Sequence, residues 1–394
     1  MGCGFSQHGA TVAPKQPRAS TTSTGMLLDC GSGHTSVLWY GLPTEGGLPI
    51  RQLRRSKLKL PGGGNFKITD VFDSNNTNAI LAKQAEAFGT ALRAEIKEAI
   101  FTTEDISSPT VTFVGATGGL REALSAGNVD EDRLEIFRDF ALRGLPAECR
   151  STFTVIKGEE EAAWELAAAH IIYGANSEAM FPGAQVGSTK KFGIFSGGGS
   201  SMQVQASWGP PFSFPFSTWW EEIDEEKGAS ADAWKNDAKW GNWERALLAK
   251  IGKSESLREK FSGNFVLTAM NHVAATAAGF AETPITAEEA VFRLRKALAQ
   301  FKGDEGEPYQ GFVNGKHSVH PTVLAWYSSQ PPSHLARVGA MHICRLAHVL
   351  EQLFHPKARL FAPAGTDVTG ARLDCEWTLE AYARELRDMG LLSN

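Results

Sequence analysis

The chain has 394 residues and a formal net charge of −5, with 42% hydrophobic and 21% charged residues. This is the composition of an ordinary globular protein, and the length favours two domains or two lobes over a single core. The acidic balance argues against a nucleic-acid-binding surface, and no apolar stretch reaches the roughly 18 residues of a membrane span.

The first residues match the pattern for N-terminal acylation. Gly2 becomes the first residue once the initiating Met is removed, and Ser6 stands where the myristoylation pattern requires it. Cys3, beside it, is a candidate palmitoyl acceptor, and two acyl chains hold a membrane stably whereas one holds it weakly. The Ser-, Thr-, Pro- and Gly-rich composition predicts that residues 1–25 form a flexible tether. The alternative is a disordered tail that matches by chance.

The five cysteines give no sign of a disulfide framework or a zinc site. They are odd in number, widely spaced and form no CxxC pair. This pattern indicates a reducing compartment, and the first residues lack the apolar segment of a secretory signal. Together with the acylation pattern, it predicts a protein anchored to the cytoplasmic face of a membrane.

Folded sequence is predicted to begin at Met26, with a strand, a glycine turn and a second strand ending at Tyr40. Periodicity and β-branched runs predict a helix at 78–100, a strand at 110–114, a helix at 131–143, a strand at 153–156 and a helix at 159–173.

The opening pattern returns near residue 191. Residues 191–195 and 202–205 are predicted strands, and the glycine- and serine-rich turn 196–201 joins them. Two such hairpins predict two related lobes. The last predicted element is a helix at 377–392.

We therefore divide the chain into two lobes after the tether. The first lobe spans 26–172 and is joined by the terminal segment 377–394, and the second lobe spans 173–376. An insertion at about 208–243 holds six of the ten tryptophans. We interpret it as a helical segment that packs its indoles on the core, with a base-stacking lid or a membrane-facing insertion as the alternative.

Both glycine turns can bind anions, because a turn with few side chains exposes consecutive backbone N–H groups. Neither turn has the Gly-Lys-Ser/Thr ending of a Walker A loop. Asp29, directly before the first turn, either holds a metal-bound water or is simply a turn-forming residue. The candidate phosphate ligands are Gly31, Ser32, Gly33, His34 and Thr35 in the first turn and Gly198, Gly199, Ser200 and Ser201 in the second.

Two further turns follow predicted strands. Thr117 and Arg121 lie where a helix begins, and they offer a hydroxyl and a guanidinium to phosphate oxygens. Glu161 is the last of three consecutive glutamates, and a carboxylate in a cleft can act as a general base toward water. Each segment also has an ordinary interpretation, as a strand-to-helix connection and as an acidic first turn that favours the helix dipole.

In combination, these motifs resemble those of the nucleoside triphosphate diphosphohydrolases, the apyrase family that splits nucleoside tri- and diphosphates. The resemblance covers nearly all of the predicted folded chain. The matching segments are Asp29–Ser36 for DAGSSHTS, Gly115–Arg121 for GATAGMR, Gly158–Trp164 for G-x-E-E-G-A-Y, Phe192–Val204 for the segment with DLGGASTQ, and Trp377–Leu379 for the late WTLG.

The resemblance implies an α/β protein with a two-lobed fold of the actin/sugar-kinase, or ribonuclease H-like, type and a nucleotide in the cleft between the lobes. It also implies a divalent ion, Mg²⁺ or Ca²⁺, bound largely through waters. Asp29 and Gln203 match the positions that contact those waters.

The resemblance also assigns catalytic roles by motif position. Glu161 would be the general base that activates water, and Ser201 would help to position that water. Thr117, Ser32 and His34 would line the path of the phosphates.

Two motifs depart from the family pattern. Ser196 stands where the family has Asp, and a hydroxyl holds a metal-bound water less tightly than a carboxylate does. In the third motif, Ala162 and Glu165 each replace a Gly. Shifting the fourth motif by one residue matches the exopolyphosphatase form G-G-G-S-T and puts Phe195 at the Asp position. We prefer the first register, because four flanking residues then also match.

The predicted function is metal-dependent hydrolysis of the terminal phosphate of nucleoside tri- or diphosphates. The missing Asp motivates one alternative, a nucleotide-binding sensor with weakened catalysis. The glycine run of the fourth motif permits another, a polyphosphate hydrolase. The expected partners are nucleoside phosphates and a membrane, and the sequence predicts no particular protein partner.

Overall fold

A computed structural model of the chain describes most of the sequence from Thr21 onward. The described residues are 21–31, 34–43, 50–60, 63–73, 75–125, 127, 129–174, 180–182, 192–197, 201–209, 211–215, 261–303, 332–363 and 375–392.

The first sheet is built from β1 (Thr21–Cys30), β2 (Thr35–Pro43), β3 (Arg51–Lys57), β4 (Val111–Ala116) and β5 (Arg150–Val155). Their order across the sheet is β3-β2-β1-β4-β5. β1 and β2 pair antiparallel, as do β2 and β3, whereas β4 is parallel to both β1 and β5.

The second sheet is built from β6 (Gly193–Gly197), β7 (Ser201–Gln205), β8 (Phe212–Pro215), β9 (Asn264–Ala269), β10 (Ile285–Thr286) and β11 (Arg359–Phe361). Their order is β10-β11-β9-β6-β7-β8. β6, β7 and β8 form an antiparallel meander, and β9 is parallel to β6 and β11.

The two sheets repeat one topology. In each, the first strand opens a three-stranded antiparallel meander on one side and is followed by two parallel strands on the other. The second sheet adds β10 at its edge, antiparallel to β11. This repetition agrees with the two lobes that the paired glycine hairpins predict.

The helices connect and cover the strands. Their bounds are α1 (Ile68–Val71), α2 (Asn78–Thr102), α3 (Gly118–Ser125), α4 (Glu131–Ala141), α5 (Gly158–Tyr173), α6 (Met270–Ala277), α7 (Ala287–Gly303), α8 (Pro332–Leu353) and α9 (Trp377–Asp388).

The middle layer of the molecule lies between the two sheets and contains α5 and α9. Alternate residues of β1 point to opposite faces, so Leu28 joins the core under α2 and α4 whereas Leu27 joins the middle core. The middle core also takes Ile194 and Val266 from the second sheet. On the far side of that sheet, Phe195 joins the core with α6, α7 and α8.

The C-terminal helix packs closely on the first sheet. A methyl group added at Gly115 would lie 2.3 Å from the Trp377 ring, so this strand position accepts only a residue without a side chain. The Trp377 ring also packs against Phe113 and Trp164, with centroid distances of 6.0 and 6.1 Å. The third and fifth motifs therefore meet beside the second.

Several boundaries differ from the predicted ones by a few residues, and two of these differences have a clear physical reason. β1 begins at Thr21, five residues before the predicted start, because Ser23 and Thr24 are buried and bond to Thr110 and to Ser107. Ser196 lies inside β6, whereas the sequence places it in the turn. The strand extends that far because β7 and β9 pair with it on both sides.

Most of the Trp-rich segment 208–243 lies outside the described residues. Trp208 is 42% exposed and meets the ring of Phe265 edge-on. Within the described part of the chain, no helix is both long enough and apolar enough to cross a membrane.

Candidate active site

The carboxyl ends of β1 and β4 bring two predicted site residues together. The strands are parallel neighbours, and Asp29 pairs with Gly115, two residues before Thr117. The Thr117 hydroxyl donates to Asp29 Oδ1 at 3.2 Å. α3 begins at the next residue, Gly118, so a helix N-terminus and the first glycine turn share one edge of the sheet.

Glu161 lies in the first turn of α5 and is 8% exposed. Its Oε2 accepts hydrogen bonds from Arg121 Nη1 at 2.9 Å and from Gln203 Nε2 at 3.1 Å. Arg121 belongs to α3 and Gln203 to β7, so one carboxylate oxygen connects the first lobe to the second sheet.

Burial makes Glu161 a stronger base than an exposed carboxylate. Desolvation raises the pKa of Glu161, and the Arg121 guanidinium acts in the opposite direction. A raised pKa brings a carboxylate closer to the range in which a general base works at neutral pH.

Glu165 lies one turn further along α5, on the same face as Glu161. It is 6% exposed, and its Oε1 accepts a hydrogen bond from the Ser196 hydroxyl at 2.8 Å. Its Oε2 is buried and has no hydrogen-bond partner among the described residues. The pKa of Glu165 is raised well above its ordinary value, first by burial and then by the charge of Glu161.

The pairing of β6 and β7 explains how two carboxylates are held side by side. Ser196 and Gln203 are direct partners in the antiparallel ladder, so both side chains lie on the same face of the second sheet. Ser196 bonds to Glu165 and Gln203 bonds to Glu161, four residues earlier on α5. The second sheet thus contacts α5 through two neighbouring hydrogen bonds.

Negative charge is concentrated around Asp29. Burial, followed by the charges of Glu376 and Glu161, raises the pKa of Asp29 to about 7, while Arg55 and the Thr117 hydroxyl act in the opposite direction. Arg55 Nη1 pairs with Glu376 Oε1 at 2.5 Å. Arg121 pairs with Glu161, and Glu165 interacts electrostatically with Asp29. The cluster therefore contains two guanidinium groups and four carboxyl groups, which are those of Arg55, Arg121, Asp29, Glu161, Glu165 and Glu376.

His34 is half-buried at the end of the first turn, and its Nε2 lies 3.3 Å from the Ser36 hydroxyl. Burial, then Lys57 and Arg55, lower the pKa of His34 to about 4. The ring is therefore neutral at neutral pH. It can donate a hydrogen bond to a phosphate oxygen, but it adds no positive charge.

The carboxyl cluster fits a hydrated divalent cation. Within the described ranges, no three His, Cys, Asp or Glu side chains are placed to coordinate one ion directly. Mg²⁺ commonly keeps several waters and uses only one or two carboxylates, and Ca²⁺ also accepts oxygen ligands from water and amides. The pKa of Asp29 is raised despite the nearby Arg55, and Oε2 of Glu165 has no hydrogen-bond partner among the described residues, so a bound cation would compensate charge at both carboxylates.

The structure brings five predicted site residues into contact, Thr117 with Asp29 and both Arg121 and Gln203 with Glu161. Gly31 follows β1, and Thr35 opens β2 opposite Cys30. Ser201 opens β7, where its backbone pairs with Pro215. Arg121 contacts Glu161 and donates to the carbonyl of Ile156 at 2.9 Å. The residues outside the described ranges are Ser32, Gly33, Gly198, Gly199 and Ser200, together with the acylation residues Gly2 and Cys3.

Sequence reasoning missed Arg55 and Glu376, and it noted Glu165 only as a departure from a motif. Glu165 carried a usable signal, because it follows Glu161 by four residues on a predicted helix. Glu376 directly precedes the fifth motif. Arg55 had no such signal, because only the pairing of β2 with β3 brings it to the site.

The backbone also explains which register of the fourth motif is the better one. Asp29 pairs with Ser36, and Ser196 pairs with Gln203, so each pairs with a residue seven positions later in its hairpin. Phe195 instead faces the core on the far side of the second sheet. Ser196 is thus the structural counterpart of Asp29, in agreement with the register that we prefer.

Comparison with known proteins identifies the fold. No family model matches the chain, and no curated protein matches it. A Ppx/GppA family member from Aquifex aeolicus is similar with a TM-score of 0.53 and 12% identity, over 93% of this chain and 98% of that one. An exopolyphosphatase-like protein has a TM-score of 0.51 and 14% identity, over 93% of this chain and 99% of its own. Nucleoside triphosphate hydrolases from Neospora caninum have a TM-score of 0.54 and 10% identity, over 94% of this chain and 93% of theirs.

These likenesses extend over nearly the whole of each chain, and at 10–14% identity they show the fold. The predicted two-lobed α/β fold of the actin type is confirmed.

Proposed function

We propose that this protein is a metal-dependent phosphohydrolase that removes the terminal phosphate of nucleoside tri- or diphosphates. The observation that carries the proposal is Glu161, a buried carboxylate that accepts hydrogen bonds from Arg121 on α3 and from Gln203 on β7 of the second sheet. Two solved structures of the same fold are described as exopolyphosphatase-like or Ppx/GppA proteins, and another as nucleoside triphosphate hydrolases. These descriptions support phosphoryl transfer to water as the reaction.

Glu161 is the base of the proposed reaction. It accepts a proton from a water molecule as the water oxygen forms a bond to the terminal phosphorus. The bond between that phosphorus and the bridging oxygen breaks, and the electron pair leaves with the shortened nucleotide. The protonated Glu161 then returns its proton to solvent. Arg121 and Gln203 hold the carboxylate in one orientation throughout.

The phosphates are bound mainly by backbone groups and neutral donors. In this proposal the glycine-rich segments that follow β1 and β6 in the sequence would supply N–H groups, and Thr117, directly before α3, would supply a hydroxyl. Neutral His34 adds a hydrogen-bond donor. Asp29 and Gln203 would hold the waters of a divalent cation, Mg²⁺ or Ca²⁺. When bound, the cation neutralises charge on the phosphate oxygens.

The direct experiment is phosphate release from ATP, ADP, GTP and UDP with Mg²⁺ or Ca²⁺. Wild-type protein is expected to hydrolyse at least one of them. Glu161→Gln is expected to lower the turnover number by about 10²- to 10⁴-fold, the usual contribution of a general base. Glu159→Gln removes an exposed carboxylate from the same helix turn and is expected to keep the wild-type rate.

Two results would contradict the proposal. One is full activity in Glu161→Gln. The other is a wild-type protein that hydrolyses none of the substrates; if it still binds nucleotide, it is the sensor that the missing Asp suggests.

Linear polyphosphate is the second candidate substrate, favoured by the resemblance to an exopolyphosphatase-like protein. Both substrates present a terminal phosphoryl group on a phosphate chain, so they would use the same base. Competition distinguishes them. If nucleotides are the substrate, polyphosphate should be hydrolysed slowly and should inhibit ATP hydrolysis only weakly.

We also propose acylation of Gly2 and Cys3, on the strength of the Met-Gly-Cys start with Ser6. These residues lie outside the described ranges. In cells, Gly2→Ala should move the protein from the membrane fraction to the supernatant of a lysate. An unchanged membrane fraction would contradict acylation at this residue.

A further inference from the structure

Two departures from the motif pattern lie in direct contact. Ser196 occupies the fourth-motif position where the resembled family has a carboxylate. Glu165 occupies a third-motif position where that family has Gly. The Ser196 hydroxyl donates to Glu165 Oε1 at 2.8 Å, and both side chains are buried. One carboxylate is missing from β6, and another reaches the same point from α5.

The strand pairing identifies which carboxylate is missing. Ser196 and Asp29 hold the same place in the two related hairpins, as the pairing of each with the residue seven positions later indicates. The first lobe therefore presents a carboxylate from its own strand. In the second lobe the strand presents a hydroxyl, and the carboxylate that this hydroxyl contacts belongs to Glu165.

Glu165 has an oxygen that no described residue uses. Among the described residues, Oε2 is buried without a hydrogen-bond partner, and an unsatisfied buried carboxylate is costly. The charged groups that the described part of the chain places around it are the carboxyl groups of Glu161, Glu376 and Asp29. Of the two nearby guanidinium groups, Arg121 binds Glu161 and Arg55 binds Glu376. The space beside Oε2 of Glu165 therefore favours a positively charged group.

We propose that Glu165 replaces the missing strand carboxylate and, oriented by Ser196, holds the water shell of a divalent cation opposite Asp29. The inference rests on the proposed function, because it concerns the cation of the same site. Its chemistry is that of a hydrated hard cation held by carboxylates from a strand, β1, and a helix, α5. Ser196 acts as a positioning residue, because its hydrogen bond fixes one oxygen of Glu165 and leaves the other available.

The test measures binding of Mn²⁺, a probe for hard divalent cations, to the purified full-length protein without nucleotide. Calorimetry and the loss of the free Mn²⁺ electron-spin resonance signal both give the affinity. Glu165→Gln keeps the size of the side chain and an oxygen for Ser196, and it is expected to weaken Mn²⁺ binding about tenfold or more. Glu159→Gln, the exposed control on the same helix, is expected to bind like wild type.

A relocation variant tests whether the two positions are exchangeable. Ser196→Asp combined with Glu165→Gln returns the carboxylate to β6 and is expected to restore most of the lost Mn²⁺ affinity. A merely structural role for Glu165 would not produce this rescue. Thermal melts and circular dichroism of each variant separate loss of binding from loss of folding, and the relocation variant remains informative if Glu165→Gln is unstable.

The proposal is overturned if wild-type protein binds no Mn²⁺, if folded Glu165→Gln binds it as tightly as wild type, or if the relocation variant fails to regain affinity. These outcomes are distinct from failure of the proposed function. Glu165-dependent Mn²⁺ binding without nucleotide hydrolysis would support the cation site and reject the hydrolase. Hydrolysis of nucleotides by a protein whose Mn²⁺ affinity does not change in Glu165→Gln would support the hydrolase and reject the cation site.

Discussion

The surroundings of Asp29 disfavour the ionised form of its carboxyl group. Asp29 lies next to the last residue of β1, accepts a hydrogen bond from the Thr117 hydroxyl, and faces the carboxyl groups of Glu376 and Glu161. Its pKa is raised from 3.8 to about 7. Such a group favours binding of a cation, because a nearby positive charge removes the cost of ionisation.

The raised pKa of Asp29 predicts how stability depends on pH in the presence of a chelator. The folded protein binds the proton of Asp29 more tightly than the unfolded chain does. The resulting stabilisation is complete below the unfolded pKa, near 3.8, and is lost as the pH rises through about 7. Relative to Asp29→Asn, wild-type protein should therefore lose free energy of unfolding between these two pH values.

Urea unfolding at several pH values measures this difference. Asp139→Asn, which removes an exposed carboxyl group from α4, serves as the control and should follow wild type. A wild-type protein that gains stability relative to Asp29→Asn as the pH rises would contradict the assignment, because it would mean a lowered pKa for Asp29.

At the level of elements, the junction of β9 and α6 is strained. Ala269 ends β9 beside Gly197 and has φ 52° and ψ −128°, a conformation that residues with a side chain rarely adopt. It lies at the edge of the second sheet from which the second glycine turn also leaves. Strain at such an edge is common where a backbone must take a fixed position around a ligand.

Replacing Ala269 with Gly should relieve this strain. The expected result is a gain of about 1 kcal/mol in the free energy of unfolding. Ala277→Gly, at the end of the same helix, is the matched control and should cost about 0.5–1 kcal/mol. Chemical denaturation of both variants checks the prediction, and a loss of stability in Ala269→Gly equal to that in the control would refute the strain.

Much of the element order was predictable because strong periodic patterns carry it. The helix predicted at 78–100 is α2, and the helix predicted at 159–173 is α5. The start of β1 was missed because Thr and Ser residues there resemble a tether, while the strand is fixed by bonds to distant residues such as Thr110. The residues of a segment do not by themselves predict which distant residues it will bond to.

The site was predictable where one motif carries one role, and less so where two motifs meet. Glu161 and Thr117 were proposed from the combination of motifs, and the structure brings Thr117 to Asp29 and Glu161 to Arg121 and Gln203. The contact between Glu165 and Ser196 could not, because it depends on how β6 packs against α5, and each residue alone reads only as a departure from a pattern. Arg55 reaches Glu376 across more than three hundred residues.

At the scale of the molecule, α5 connects the two halves. It follows the last strand of the first sheet, and its carboxylates bond to two neighbouring strands of the second. The helix packs against α9 in the core between the sheets. Movement of one sheet relative to the other would therefore change the surroundings of Glu161 and Glu165 together.

The central claim is that Glu161 serves the chemical step and not the binding of substrate. The most direct test is single-turnover phosphate release with enzyme in excess over ATP, paired with the affinity for a non-hydrolysable ATP analogue, in wild type and Glu161→Gln. We predict that the variant binds the analogue within about threefold of wild type while its rate of bond cleavage falls by about 100-fold or more. An unchanged rate of cleavage in the folded variant would contradict the account.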